Sequence, residues 1–255
     1  MQLIKRSSSS LSDIQCLCKD GIELLNSLDD CSVDLIITDP PYKTTSRGCA
    51  GTSGGMMQTE ICKKGQMFKY NDLVPKDYAK CMYRVLKDGS HCYVMTNHVN
   101  LQDMLNSFTE VGFHFVKSLV WDKGNKIMGT YYMSQFEYIL FFRKGKGVKI
   151  NDCGTSDILR VPNKKPKDKK GKVIHVTAKP PELMEILIKN SSKEGQIVVD
   201  PFAGLFSVAL ACKKLKRKFI GSEIDKQYFE IGLDILNNKE IEDMSVYGCF
   251  HKGAD

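Results

Sequence analysis

The sequence predicts an α/β domain, a Rossmann-like and mostly parallel sheet of seven strands covered by helices on both faces, with a small inserted segment. Three observations predict it. Short β-rich runs alternate with helical stretches along most of the chain. Nearly every pair of runs is separated by a helical pattern, the crossover that parallel strands require. The length of 255 residues is enough to bury one large core.

Taken in order, the strands are expected at residues 13–18, 33–38, 91–96, 115–121, 136–142, 196–200 and 218–222. Helical patterns fall near 21–28, 76–87, 100–111, 181–191, 205–216 and 226–238. Pro181 suits a first helical turn, because its missing N–H would be unpaired there anyway, and Gly89 suits a helix stop. Residues 115–121 and 136–142 lack a helix between them, so they are expected to pair antiparallel at the sheet edge. Two long segments break the alternation. Residues 43–75 are rich in Gly, Ser, Thr and Lys and are expected to form a flexible loop. Residues 143–175 form a basic insert, so the regular domain is expected to comprise 13–142 and 176–238, with 239–255 a loose tail.

Charge sharpens the reading of the insert. The chain carries a formal +7, yet residues 143–179 alone hold twelve Lys or Arg against three acids, a local +9. The remainder is therefore slightly acidic, and the positive charge is a patch suited to a polyanion. It is densest at Lys164, Lys165, Lys167, Lys169 and Lys170. No apolar run reaches the length of a membrane span and the start does not resemble a signal peptide, so a cytoplasmic protein is expected. Ten scattered cysteines contain no Cys-x-x-Cys, which points to reduced, mostly buried thiols and to no metal.

Two sites carry chemistry. Asp39-Pro40-Pro41-Tyr42 follows the apolar run VDLIIT. The prolines bar the ladder from continuing and hold an acid and a ring rigidly at the strand's carboxyl end. On average composition this tetrapeptide arises by chance in roughly one such chain in a thousand, so it is a specific signal. The second site is the run from Gln196 to Glu223: a strand ending in Asp200, a turn of Phe202, Ala203 and Gly204, a helix opening near Ser207, and a strand ending in Glu223. Glu223 follows Gly204 by nineteen positions, the offset at which a nucleotide-binding βαβ unit offers an acid to ribose hydroxyls. A Cβ at Gly204 would keep the backbone from a ligand crossing the helix N-terminus. By itself this second signal also fits an ordinary βαβ unit.

Together the two sites, in this order and with the basic segment between them, resemble the S-adenosylmethionine-dependent DNA amino-methyltransferases in their permuted, β-group arrangement. The resemblance covers residues 13–238 and extends to the Cys18-Lys19-Asp20-Gly21 turn, Gln135-Phe136-Glu137-Tyr138 and His175 to Pro180. It implies the permuted methyltransferase fold with a target-recognition insert, S-adenosylmethionine as cofactor and double-stranded DNA as partner. It also implies cofactor contacts at Asp20, Lys179, Asp200, Phe202, Ala203, Gly204, Ser207 and Glu223, and DNA contacts at Lys43, Arg47 and the five lysines of the insert. A homodimer is compatible with the sequence but not demanded by it.

The resemblance further implies transfer of a methyl group to adenine N6, because the adenine enzymes of this group generally begin the motif with Asp and the cytosine-N4 enzymes with Ser. Asp39 and the carbonyl of Pro40 would accept the N–H bonds of a flipped base, with Tyr42 stacked on it and Pro41 setting the ring's angle. Attack by a ring carbon of cytosine would need a Cys after Pro, and none of the eight prolines has one. A cytosine-N4 methyltransferase, an RNA or protein-amide methyltransferase, a cofactor-deficient DNA-binding relic and a nucleotide-dependent oxidoreductase are the competing readings. One departure bears on the relic. The family usually continues the turn with Ser-Gly, whereas this chain reads Leu205-Phe206. Either the Phe206 ring points into the core and the pocket stays open, or it weakens or abolishes cofactor binding.

Overall fold

A computed structural model describes residues 13–41, 73–127, 131–164 and 178–237. Among these residues eight strands form one sheet: β1 Ile14–Cys18, β2 Val33–Thr38, β3 Leu86–Thr96, β4 His114–Ile127, β5 Ser134–Arg143, β6 Ile158–Arg160, β7 Ile197–Asp200 and β8 Lys218–Glu223. Six helices accompany them: α1 Gly21–Asn26, α2 Pro75–Val85, α3 Leu101–Val111, α4 Pro181–Ser191, α5 Ser207–Lys214 and α6 Lys226–Asn237. The strand order is β1-β8-β7-β2-β3-β5-β4-β6. Only β5 runs against its neighbours. The mostly parallel sheet follows the expected class.

The core is legible in the alternation of each strand. Leu35, Ile37, Tyr93, Met95, Ile139, Phe141 and Val198 face α4, α5 and α6. Their neighbours Ile36, Cys92, Val94, Leu140, Phe142 and Val199 face α1, α2 and α3. Central strands buried on both faces read as continuous apolar runs, which is why VDLIIT and QIVVD stand out. Each such side chain contributes about 1.5–3 kcal/mol on burial, so the two layers together hold the sheet against its helices.

Several boundaries differ from expectation. The helix before β3 ends at Val85, because Leu86 already pairs with Val33 of β2. Gly89 therefore lies inside β3 rather than stopping a helix. Its φ of +79° forms an irregularity where its N–H donates to Lys144 O at 2.8 Å. β4 and β5 do pair antiparallel, but they are not the edge, since β6 pairs parallel to β4 beyond them. The eighth strand, β6, has only three residues and lies within the stretch read as basic insert, too short to show a period of two. Pro181 opens α4 as expected. The described cysteines are free, but "mostly buried" fails among them: Cys92 and Cys212 are buried, whereas Cys18, Cys31 and Cys153 are exposed. Among the described residues no helix is long and apolar enough to cross a membrane, and no group of His, Cys, Asp or Glu could hold a metal ion.

The connections reverse direction between β7 and β2. From β7 the chain steps to β8, whose far neighbour is β1, while from β2 it steps the other way to β3. Adjacent crossovers leave on opposite sides there, opening a crevice at the carboxyl ends of the strands. Asp200 ends β7 and Asp39 follows β2, so the sequence-predicted acids meet at this switch point.

Candidate functional site

The two motifs are joined across the switch point by one side-chain bond. Thr38, the last residue of β2, donates its hydroxyl to Asp200 Oδ1 at 2.8 Å. The same oxygen accepts Phe202 N–H at 3.1 Å, which bends the chain sharply out of β7. Asp200 is 4% exposed, and burial pushes its carboxyl up to about 7, against the pull of these two hydrogen bonds. The negative neighbours Asp39 and Glu223 push it the same way.

The turn after Asp200 is built from its own backbone. Ala203 N–H donates to Ser222 O at 2.9 Å, Phe206 N–H to Ala203 O at 2.8 Å, and Gly204 N–H to Glu223 Oε2 at 3.0 Å. Glu223 uses its other oxygen to accept Asp225 N–H at 2.8 Å, and burial raises its pKa. Gly204 has a φ of +53°, and a Cβ placed there would meet no atom within 4 Å. The backbone is thus bare toward open space beside a half-buried acid, a cradle for a polar ligand bearing hydroxyls.

Phe206 does not enter that space. It adopts a left-handed conformation, φ 60° and ψ 35°, which a non-glycine residue holds at a cost of about 1–2 kcal/mol. Its ring is fully buried, edge-on to Phe229 at 5.8 Å and to Phe219 at 6.5 Å. Gly232 of α6 makes room for it, since a Cβ there would lie 2.6 Å from Phe206 Cδ2. The backbone conformation that a glycine supplies easily is kept here by ring burial. Of the two outcomes posed by the sequence, the ring lies in the core.

Asp20, expected near the second site, caps α1 by accepting Ile22 N–H at 2.8 Å and Glu23 N–H at 3.0 Å. Gly21 lets this helix abut the turn, because a Cβ would fall 2.4 Å from Pro201 O. The Phe202 ring packs edge-on against Tyr78 of α2 at 5.4 Å. Ala203 is buried beneath the turn. Ser207 donates its hydroxyl to Lys179 O at 2.6 Å and so ties the turn to the segment preceding α4.

Lys179 in turn reaches the first motif. Its ammonium pairs with Asp39 Oδ2, and it stands 3.5 Å from Glu137 Oε2. Glu137 Oε1 accepts from Lys123 Nζ at 2.5 Å. The period of two explains the meeting: Lys123 shares a face of β4 with buried Trp121, and Glu137 shares a face of β5 with Ile139, the face covered by α4. The four charges sum to zero, which is what makes their burial tolerable. Burial raises the Asp39 pKa, Lys179 opposes that and Glu137 reinforces it. Burial also works against the Glu137 carboxylate, but Lys179 and Lys123 outweigh it and hold its pKa low. Asp39 Oδ1 is buried and has no hydrogen-bond partner among the described residues. An acceptor left open in this way invites a donor from a ligand.

The structure therefore brings Asp39, Pro40 and Pro41 together with Lys179, Asp200, Gly204, Ser207 and Glu223 around one crevice. Lys164 lies just past β6, its N–H donating to Pro162 O at 2.8 Å, next to Asn163, whose N–H donates to Lys123 O at 3.4 Å. Tyr42, Lys43, Arg47, Lys165, Lys167, Lys169 and Lys170 lie outside the described residues. Sequence reasoning missed Lys123 as a site residue and noted Glu137 only within a longer resemblance. A polar residue at a core-facing parity of each strand was the available signal.

Known proteins match this chain along most of its length. A sequence model described as DNA methylase matches residues 33–234. The Type II methyltransferase M2.LlaDCHI of Lactococcus lactis subsp. cremoris is 27% identical over 243 residues, covering 86% of this chain and 87% of its own. The Type II methyltransferase M.HpaI of Haemophilus parainfluenzae is 29% identical over 251 residues, covering 89% and 75%. Among solved structures, the M1.HpyAVI–SAM complex superposes with a TM-score of 0.64 at 25% identity, over 87% of this chain and 99% of that one. The cytosine-N4-specific PvuII DNA methyltransferase shares the fold with a TM-score of 0.67 at 19% identity, over 92% of each chain.

Proposed function

We propose a specific reaction for this chain, which belongs to the N6/N4 DNA methylase family: transfer of a methyl group from S-adenosylmethionine to the N6 amino group of adenine in a defined sequence of double-stranded DNA. The observation that carries it is the buried Asp39 Oδ1, without a hydrogen-bond partner among the described residues, at the end of the strand next to the one that leads into the Asp200–Glu223 turn. An acceptor for an amine and a cradle for a hydroxylated ligand stand on adjacent strands.

The residues present fit the methyl donor. Glu223 can turn its oxygens to ribose hydroxyls, and the bare backbone at Gly204 admits close approach of the ligand. Asp20, the cap of the helix that abuts the turn, would border the donor's adenine, and Lys179 its methionine end. When bound, the donor supplies a methyl activated by a sulfonium.

The chain's own residues would do the rest. An exocyclic amine is a poor nucleophile because its lone pair is delocalised into the ring. Asp39 Oδ1 and the Pro40 carbonyl, fixed by Pro41, can accept its two N–H bonds and favour a tetrahedral nitrogen with an available lone pair. The ion pair to Lys179 occupies the second oxygen of Asp39 and keeps the carboxylate in one orientation. No covalent intermediate on the protein is required, and the amine's proton leaves to solvent after transfer. The base must leave the duplex to reach this depth, and Tyr42 would stack on it once flipped. The basic residues Lys164, Lys165, Lys167, Lys169 and Lys170, with Lys43 and Arg47, would hold the phosphates.

The experiment is a nucleoside analysis. Unmethylated genomic DNA incubated with the chain and S-adenosylmethionine is digested and its nucleosides are separated by mass. The reading expects N6-methyladenine. N4-methylcytosine alone would transfer the mechanism to the other amine of the family, and neither product would favour a relic of the fold.

A further inference from the structure

We propose that Glu137 and Lys123 are positioning residues that hold Lys179 on one oxygen of Asp39 and so keep the other oxygen free and aimed at the incoming amine. The inference rests on the reaction proposed above but adds two residues that make no contact with either substrate in it.

The geometry is a short chain of alternating charge. Lys123 Nζ bonds Glu137 Oε1 at 2.5 Å, Glu137 Oε2 lies 3.5 Å from Lys179 Nζ, and Lys179 Nζ pairs with Asp39 Oδ2. Exposure of the four side chains is 8%, 20%, 9% and 23% in that order. A lysine on a flexible stem would otherwise choose between the two oxygens of Asp39 or bridge them. Glu137 attracts the same ammonium from β5 at 3.5 Å, and its 2.5 Å bond from Lys123 holds Glu137 in place. Among the described residues, Glu137 Oε2 and Asp39 Oδ1 are the buried side-chain oxygens that make no hydrogen bond, and both carboxylates neighbour Lys179. The backbone of Lys179 is fixed independently by Ser207, so only its side chain is left for this pair to steer.

Five charged or titratable groups among the described residues enter the balance at Asp39. Lys179 precedes α4, Glu137 comes from β5, Lys123 from β4, Asp200 from β7 and Tyr78 from α2. Glu137 and Lys123 act on Asp39 with opposite sign, the first favouring its protonated form and the second its carboxylate. This opposition gives the proposal a signature that simple loss of packing lacks.

The test uses the cofactor-free full chain with ¹³Cγ-labelled aspartate, the Asp39 resonance being assigned by its loss in Asp39→Asn. The titration midpoint of Asp39 is expected to fall in Glu137→Gln, to rise in Lys123→Met, and to return toward the wild-type value in the double variant. Glu137→Gln keeps side-chain length, Lys123→Met keeps an unbranched stem one atom shorter, and thermal melting checks that each variant is folded. In parallel, kcat for methyl transfer should fall about tenfold or more in each single variant, with KM for DNA little changed. Midpoints that stay together in all four proteins, or that move in the same direction in both single variants, would overturn the proposal. So would unchanged kcat in folded single variants. If the wild-type chain transfers no methyl group, the reaction proposed above fails, while the titration still decides whether this pair sets the state of Asp39.

Discussion

Phe206 and Gly232 fit as a pair: the glycine of α6 lies where a Cβ would come within 2.6 Å of the phenylalanine ring. The ring anchors a left-handed residue at the opening of α5, in the turn that forms the cradle. Gly232→Ala should therefore destabilise the fold even though alanine is the better helix former. Overpacking against a fully buried ring costs about 1–3 kcal/mol, and the helix gain of about 1 offsets only part of it. Phe206→Gly should cost roughly 2–3 kcal/mol, the loss of the ring less the relief of backbone strain. Because the ring faces away from the crevice, the variant's affinity for S-adenosylmethionine should be unchanged by calorimetry. A large gain or loss of affinity would place the ring in the pocket.

Asp200 makes stability depend on pH in an unusual direction for a carboxylate. Its folded pKa is raised to about 7 from an ordinary 3.8, so the folded state holds a proton that the unfolded state releases. Its contribution is fully present below about pH 4 and is lost as pH rises toward about 7. Asp200→Asn removes that loss while preserving an acceptor for Thr38 and Phe202. Melting temperature at pH 8 should rise by several degrees, equivalent to about 2 kcal/mol, with little change near pH 4. A variant less stable at pH 8 would show that the carboxylate itself holds the turn.

Glu223 is the acid best placed for ligand hydroxyls. Glu223→Gln keeps an acceptor for Gly204 N–H but removes the charge. Affinity for S-adenosylmethionine should drop by roughly ten- to a hundredfold, the scale of one or two charge-assisted hydrogen bonds. Melting temperature should fall by a few degrees at most, because the amide cannot accept both Gly204 N–H and Asp225 N–H, while the neutral side chain suits this partly buried position better. Calorimetric titration and thermal melting of the same sample separate the two effects.

The lysines at 164, 165, 167, 169 and 170 should hold DNA through its phosphates. Replacing all five with Ala should weaken binding uniformly across sequences. It should also flatten the plot of log affinity against log salt by about 0.9 for each phosphate that is no longer neutralised. A slope equal to that of wild type would move the DNA-binding surface elsewhere on the chain.

How much is legible in the sequence follows from how local each signal is. Asp39, Asp200, Gly204 and Glu223 sit at strand ends and turns whose residue types betray their backbone, so both walls of the crevice are readable from the residues alone. The crossovers likewise announce a parallel sheet. The Lys123–Glu137–Lys179–Asp39 chain is not readable in this way. It depends on the register of β4 against β5, which pairs Trp121 with Glu137, and on Lys179 arriving 140 positions after Asp39. Neither has a local signature. Nor does β6, whose three residues form a strand only because β4 offers an edge. At residue 206 a phenylalanine where a glycine is usual looks like an obstruction, and only Gly232, on another helix, shows why it is not.

The central claim is that Asp39 at the end of β2 directs methyl transfer to an adenine amine. Sequencing of modified bases in DNA from cells expressing either the wild-type chain or Asp39→Ala tests it most directly. N6-methyladenine is expected at one recurring short sequence with the wild-type chain. None is expected with an Asp39→Ala chain that melts at the wild-type temperature to within a few degrees. The same modification in both cell lines, or none with the wild-type chain, would contradict it.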